Sequence, residues 1–370
     1  MSEYKVRRLL QRLFPPKRTA ILFSLLLIAG IVLVWIISPL LRLSKTYGIG
    51  PTFVSNIVSS DPPPLNSAKN RTNILIMGIA GGDHEGSDLT DSLMVASISL
   101  AKDDIAFISL PRDIWSPTLQ DKINSAYHYG EEKKPGGGLV LAKSIMEEVL
   151  GIPIHYSVLA DFAGFTKIID TLGGIDIFVE KGFTDTEFPI AGKENDLCDG
   201  DTTYACRYRS ITFSQGIGHM NGEQALEFVR SRHAEGSEGN DFARNRRQQN
   251  VLLAIKDKLV KDKLYLDIGR MQTIMQQVDK ATKTDLSIAE MLYLAKLGRT
   301  IDSVEIRRIP LEEEVENGKS TSFLINPPAW QYGGRWILVP KDKDFSKIHE
   351  YVNCKLTDQA CSLTLPQPSP

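Results

Sequence analysis

Asn73-Ile74-Leu75-Ile76-Met77-Gly78-Ile79 runs directly into Ala80-Gly81-Gly82-Asp83. A short apolar run with no polar face reads as a strand covered on both sides, and the glycine pair stops it. Ser92–Ser99 and Ile105–Leu110 have the same character, and the polar turn Ala101-Lys102-Asp103-Asp104 between them predicts a hairpin. Helical spacing follows over Leu139–Leu150, stopped by Gly151, and over Asp161–Leu172, with Asp161 as N-cap and Gly173-Gly174 as the stop. His155–Ala160 and Ile175–Val179 read as further strands, and residues 181–215 as an irregular polar stretch. Helices are expected over Asn221–Arg230, Phe242–Val260, Leu266–Val278 and Ser287–Leu297, with late strands near Val304–Ile309 and Trp336–Val339. Strands interleaved with helices predict an α/β fold: a three-layer α-β-α arrangement in which the hairpin makes the central sheet mixed.

The rest of the chain frames this folded part. Of 370 residues, 43 are Lys or Arg and 45 Asp or Glu, for a net charge of −2. That ordinary globular composition excludes disorder as a description of the whole chain, and a pI near 6.3 argues against a nucleic-acid coat. Charge is uneven, however: residues 1–18 hold Lys5, Arg7, Arg8, Arg12, Lys17 and Arg18 against Glu3 alone. Thr19–Leu41 then carries no charge, and its 23 residues make a helix of roughly 35 Å, enough for a hydrocarbon core. The basic cluster predicts a cytoplasmic N-terminus and a retained signal-anchor in the plasma membrane. The run is longer than the apolar part of a cleaved signal peptide. Residues 42–70, with Asp61-Pro62-Pro63-Pro64, read as an extracytoplasmic stalk, 71–300 as the main domain, and 301–370 as an extension completing or decorating it, with a frayed tail. Cys198, Cys206, Cys354 and Cys361 fall into two near pairs outside the anchor, where thiols oxidise. Local bridges 198–206 and 354–361 are expected, with free buried thiols as the alternative.

The chemistry gathers where apolar strands end. No Gly-x-Ser-x-Gly, His-Glu-x-x-His, Walker loop or Gly-x-Gly-x-x-Gly is present, which argues against those hydrolases, nucleotide kinases and dehydrogenases. Asp83 follows the first strand and Asp91 opens the second. Side by side, two hard oxygen donors suit Mg²⁺, with Mn²⁺ as an alternative and phosphate oxygens completing the shell. Asp88 competes for the role, and solvated loop acids would look the same. Arg112, in Leu110-Pro111-Arg112-Asp113, is aimed off the end of the third strand, where ligands of open α/β sheets bind, with Asp113 able to orient it. Lys122, Asn124 and Tyr127 follow closely. Arg230, Arg232, Arg244, Arg246 and Arg247 crowd 18 positions of a net acidic region. A solvated basic face is one reading, and guanidinium forks for phosphate are another. Arg244 and Gln248, four apart, share a helix face.

Taken in order, these motifs resemble the LytR-CpsA-Psr family of cell-wall glycopolymer transferases. The resemblance is carried by Gly81-Gly82-Asp83; Thr90-Asp91-Ser92; Ser109-Leu110-Pro111-Arg112-Asp113; Lys122-Ile123-Asn124-Ser125-Ala126-Tyr127; Asp161-Phe162-Ala163-Gly164-Phe165 with Leu172-Gly173-Gly174-Ile175; Leu226-Glu227-Phe228-Val229-Arg230-Ser231-Arg232; and Asp241-Phe242-Ala243-Arg244 with Arg247-Gln248-Gln249. It spans about residues 71–260. It implies transfer of a glycopolymer from a polyprenyl-pyrophosphate carrier to peptidoglycan through a phosphodiester, outside the membrane. By that resemblance Asp83 and Asp91 hold Mg²⁺. Arg112, Lys122, Arg230, Arg232, Arg244 and Gln248 take the pyrophosphate, and Asp91 or Asp113 accepts a proton. The lipid lies in an apolar groove for which Phe107, Phe162 and Phe165 are candidates, core packing being their other reading. Leu89-Thr90-Asp91-Ser92 stands where relatives commonly carry Arg-Ser-Asp-Thr, so one arginine of the usual clamp is absent, and Ala243 replaces a common glycine. A polyprenyl-pyrophosphate phosphatase and a non-catalytic lipid-binding envelope regulator are the alternative functions.

Overall fold

A computed structural model describes residues 65–82, 86–102, 104–262, 268–298, 306–315, 319–357 and 361–365. The expected span Thr19–Leu41, most of the stalk, and Asp83 lie outside these residues. Among the described residues no helix is long and apolar enough to cross a membrane.

The chain forms β1 (Arg71–Ile79), β2 (Thr90–Ser99), β3 (Ile105–Ser109), the short strands β4 (Trp115–Ser116) and β5 (Asp121–Lys122), then α1 (Ala126–Lys133) and α2 (Gly137–Leu150). Next come β6 (Tyr156–Asp161), α3 (Phe162–Thr171), β7 (Ile175–Val179), β8 (Phe183–Pro189), β9 (Tyr208–Phe213) and β10 (Gly216–Met220). The helices α4 (Gly222–Arg230), α5 (Asp241–Lys261) and α6 (Ile268–Ala281) follow, then β11 (Thr282–Thr284), α7 (Ile288–Gly298) and β12 (Ile306–Pro310). The chain closes with β13 (Glu312–Val315), β14 (Lys319–Ser322), β15 (Leu324–Ile325), β16 (Val339–Pro340) and α8 (Ser346–Thr357).

The central sheet has the order β11-β6-β1-β2-β3-β12. β1 pairs antiparallel with β2 and parallel with β6, while β3 pairs antiparallel with β2 and parallel with β12. The sheet is therefore mixed, and the C-terminal ends of β1, β3, β6 and β12 share one edge with the start of β2. Side chains alternate between two apolar layers. Leu75, Met77, Val95, Ala106 and Ile108 pack on one side against Ala142, Ile145, Met146 and Val149 of α2 and Ile348 and Val352 of α8. On the other side, Met94, Ala96 and Phe107 meet Leu252 and Leu253 of α5, and Ile74 meets Tyr293 and Leu294 of α7. Burying each such side chain contributes about 1.5–3 kcal/mol, which is why the strands read as continuous apolar runs.

Several sequence expectations change in detail. Ile175–Val179 is a strand, but it pairs with β10 in a separate two-stranded ribbon. Residues 181–215 are not wholly irregular: β8 and β9 pair across them, around a disulfide joining Cys198 and Cys206. Their alternation is too polar to announce a strand. Helices α1 and α8 were not expected, because the glycine in α1 and the polar face of α8 blur the helical pattern. Residues near the end of the expected stalk are packed: Leu65 is buried against Ile74 and Tyr156, and the Asn66 amide donates to the Tyr156 hydroxyl at 2.8 Å. Gly151 ends α2 at φ +66°, and a Cβ there would meet the His349 ring at 2.4 Å. Only glycine permits both the turn and this approach of α8.

The region after residue 300 is bound into the core. β12 adds a strand beside β3, and α8 is closed by the Cys354–Cys361 disulfide. The attachment has a buried charge centre. Asp104, at the head of β3, accepts from Arg71 Nη1 at 2.6 Å, and from Arg307 Nε of β12 at 2.7 Å and Nη2 at 2.5 Å. Burial pushes the Asp104 carboxyl up, but hydrogen bonds from Arg307 and Arg71 outweigh it and hold the group below the ordinary carboxylate value. Replacing Asp104 with Ala leaves two cations without their carboxylate, one of them buried. The expected cost is about 3–5 kcal/mol, read as a lowered denaturant midpoint with unchanged slope. A change under about 1 kcal/mol would contradict this role for the network.

Candidate functional site

The shared edge of the sheet is built by one irregularity. Gly78 pairs with Ser92 and Ile79 pairs with Thr90, so Asp91 is the extra residue of a bulge. Thr90 turns to one face, where its hydroxyl donates to the Asn124 carbonyl at 3.0 Å. Ser92 turns to the other, where its hydroxyl donates to Gln248 Oε1 at 2.9 Å. Asp91 is left at the edge, and its carboxylate accepts from Arg112 Nη1. Beside it, Gly81 at φ +72° leaves room for Asp161, whose Cβ would lie 2.9 Å from a Cβ placed on Gly81. The Asp161 side chain caps α3 by accepting from the Gly164 amide at 2.6 Å.

Arg112 follows β3 as expected, but its closest partner is Asp91, and Asp113 Oδ2 lies 3.7 Å from its Nε. Asp113 instead pairs with Lys122 at 2.5 Å. Asp88 pairs with His128 at 2.7 Å.

The five arginines divide into two groups. Arg247 is 2% exposed and donates to the carbonyls of Phe228, Ser231 and Glu238 and to the Glu238 carboxylate, all within 3.1 Å. Burial pulls it down to about 10 despite the Glu238 charge. Arg246 also bonds Glu238, at 2.5 Å. These two shape the loop that carries the second group. Arg230 lies over the Phe162 ring at 4.6 Å, a cation–π contact. Burial lowers the pKa of Arg230, opposed by the charges of Asp91 and Glu194. Burial also lowers the pKa of Arg232, opposed by Asp241, while Arg112, Asp91 and Asp113 all lie near enough to influence it. Arg232 and Arg244 share Asp241, at 3.5 and 2.8 Å. Arg244 is 7% exposed, and its buried Nε has no hydrogen-bond partner among the described residues. Such an atom is left open to a further acceptor.

Asp91, Arg112, Asp113, Lys122, Arg230, Arg232, Arg244 and Gln248 are thus linked through one sheet edge and the N-terminal half of α5. Asp83 lies outside the described residues. Of the apolar candidates, Phe107 is core, 5% exposed, and Phe165 packs against the α4–α5 cluster. Phe162 instead supports Arg230. A small cleft opens between the ends of β3 and β12 and α5, lined by Ser109, Pro111, Phe242, Gln249 and Arg308 among others. Among the described residues, Asp196, Cys198 and Cys206 lie close enough together to suggest a metal site, but both sulfurs are spent in the disulfide. At the sheet edge, Asp91 offers hard carboxylate oxygens, a donor type that would suit Mg²⁺, beside the Arg112 guanidinium.

Sequence reasoning missed Asp185. It is 0% exposed, and its Oδ2 accepts from Ser231 Oγ at 2.7 Å and from the amides of Arg232 and His233 at 3.0 and 3.1 Å. It fixes the turn that aims Arg230 and Arg232. Its only sequence signal is an acid among polar residues, which no periodicity distinguishes. Burial pushes Asp185 up, but the hydrogen bonds from Ser231 and the backbone prevail, leaving it below the usual 3.8. Its stabilisation is therefore complete above that value and lost as pH falls through the native one. Hydrogen exchange at the Arg232 and His233 amides is expected to accelerate in acid relative to core amides. In Asp185→Ala it is expected to be fast at neutral pH. Unchanged protection in the variant would remove Asp185 from this role.

The comparisons with known proteins agree with this architecture. A model of the LytR_cpsA_psr family matches residues 53–330. The polyisoprenyl-teichoic acid–peptidoglycan teichoic acid transferase TagU of Bacillus mycoides is 28% identical over 224 residues, 59% of this chain and 62% of that protein's length. The crystal structure of B. subtilis TagV aligns with a TM-score of 0.53 at 24% identity, covering 78% of this chain and 97% of that one. A structure of TagT bound to LI-WTA aligns with a TM-score of 0.50 at 21% identity, covering 80% and 92%. With three quarters of its length matched by the family model and the same fold at its core, the chain belongs to the LytR-CpsA-Psr family.

Proposed function

We propose that the protein transfers a glycopolymer from a polyprenyl-pyrophosphate carrier to peptidoglycan, forming a phosphodiester. The observation that carries this reading is the set of desolvated guanidinium groups at the sheet edge, above all the buried Nε of Arg244, which has no partner among the described residues. Burial without matching carboxylates makes such groups receptors for a polyanion, and planar forks favour phosphate. The names of the relatives support the reading: TagU is a teichoic acid transferase to peptidoglycan, and TagT is seen with LI-WTA. The enzyme works outside the plasma membrane, held by Thr19–Leu41 with its N-terminus cytoplasmic.

In this reading Arg112, Arg230, Arg232 and Arg244 bind the diphosphate, and Lys122 holds Asp113 beside Arg112. An acceptor hydroxyl oxygen attacks the phosphorus that bears the glycan. A new P–O bond forms, the bond to the second phosphate breaks, and polyprenyl phosphate departs. The hydroxyl proton passes to Asp91 or Asp113. Asp91 is the more accessible, with its side chain 40% exposed against 16% for Asp113. The guanidinium groups meet the charge that grows on the leaving phosphate, and their fixed placement supplies the advantage over water. Asp83 and Asp91 would hold Mg²⁺, which supplies further neutralisation of phosphate charge when bound.

Arg112→Ala and Asp83→Ala are each expected to reduce polymer attachment by roughly 100-fold or more while leaving the circular dichroism spectrum unchanged. The assay uses labelled carrier-linked polymer with peptidoglycan and Mg²⁺. A double variant retaining full attachment would overturn the assignment. Release of phosphate with no new linkage by the wild type would make the enzyme a phosphatase instead.

A further inference from the structure

Strand β8 meets the arginine-rich turn at three of its side chains. The Arg247 guanidinium lies 4.7 Å over the Phe183 ring. Asp185 accepts from the Ser231 hydroxyl and from the Arg232 and His233 amides. The Arg230 guanidinium lies 5.4 Å over the Phe188 ring, in addition to its contact with Phe162. Phe183 and Asp185 are two apart and share a face of the strand. Phe188 is an odd number of positions from both, and in a regular strand it would face away. A bulge corrects this. Asp185 pairs with Ile211 and Phe188 with Arg209, so Thr186 and Glu187 stand opposite Ser210 alone. The extra residue turns Phe188 to the side of Asp185, where it is buried.

The hairpin is also fastened to α4, the helix that ends in Arg230. Arg209, the β9 partner of Phe188, lies 5.4 Å over the same ring, and its Nη2 donates to Glu227 Oε1. Beyond them the hairpin loop is closed by the Cys198–Cys206 disulfide, and Glu194 of that loop carries a charge that reaches Arg230, as Asp91 does.

A guanidinium has two kinds of surface. Its faces stack on rings, and its N–H edge makes hydrogen bonds. Arg247 uses both, lying over Phe183 while its nitrogens donate to carbonyls and to Glu238. Among the described residues Arg230 has ring contacts and no hydrogen bond. We propose that Phe188 is a positioning residue for diphosphate binding: with Phe162 it holds the Arg230 guanidinium by its faces and keeps the N–H edge free for phosphate oxygens, which makes the β8–β9 hairpin a wall of the site. The inference rests on the transferase reading above, and Phe188 acts through Arg230. An aliphatic side chain of similar volume fills the same space but does not attract the cation.

The experiment measures binding of two probes, a polyprenyl diphosphate and inorganic pyrophosphate, to the full-length protein in detergent by calorimetry. Phe188→Met keeps the apolar volume without the ring and is expected to weaken both about 10-fold. Phe188→Tyr restores a ring and is expected to bind within about 3-fold of wild type. In an Arg230→Ala background, Phe188→Met is expected to change affinity by less than about 2-fold, because the group it positions is gone. Equal weakening in both backgrounds means a merely structural Phe188 and overturns the proposal, as does unchanged affinity in Phe188→Met. A second measurement needs no variant at Phe188. Ring currents are expected to shift the Arg230 side-chain proton signals of the wild type upfield, with and without pyrophosphate, the signals being assigned by their loss in Arg230→Ala. Signals at ordinary arginine positions overturn the proposal even if Phe188→Met does not fold. Wild type that binds pyrophosphate with this Phe188–Arg230 coupling but does not bind polyprenyl diphosphate upholds the positioning role and refutes the carrier reading. Wild type that binds neither probe overturns both.

Discussion

Taking a guanidinium group out of water costs several kcal/mol unless another group supplies the lost hydrogen bonds and countercharge. That cost organises the edge of the sheet in this protein. Arg230, Arg232 and Arg244 are held there with fewer carboxylates than they could use, and burial depresses the first two. Arg247, a few residues along the same helix, shows the contrasting solution: carbonyls and Glu238 occupy all of its nitrogens. One set of arginines is closed by the chain itself, and the other remains open to an anion.

Holding open cations in place requires rigid supports, and the fold provides them from three directions. The bulge in β2 sends Thr90 and Ser92 to opposite faces and leaves Asp91 for Arg112. Asp185 gathers the turn after α4 from below. Phe162, the first residue of α3, carries Arg230 on its ring face. None of these supports carries a large energy alone, but each fixes a direction, which is what phosphate chemistry by electrostatic placement demands.

The last seventy residues belong to this arrangement as fully as the first strands do. β12 joins β3 through the Arg71–Asp104–Arg307 network, and the segment before β16 threads along Asp113 and Ile114. The described C-terminal segments therefore close one flank of the sheet.

The sequence alone determined the parts governed by local pattern. Continuous apolar runs such as Asn73–Ile79 and Ile105–Leu110 announced buried strands, because a strand covered on both faces has no polar side to show. Asp161 and Gly151 marked helix ends through caps that depend on a few neighbouring residues. The order of Asp91, Arg112, Arg230, Arg232 and Arg244 along the chain marked them as candidates for one site. Tertiary structure alone decided which partner each charge takes: Arg112 chose Asp91, Asp113 chose Lys122, and Arg247 was withdrawn from the site altogether. It also decided that Asp185 lies under the arginine turn and that Leu338 lies beside Asp113. These pairings join residues nine or more positions apart, and their energies depend on burial and distance, which linear spacing does not encode.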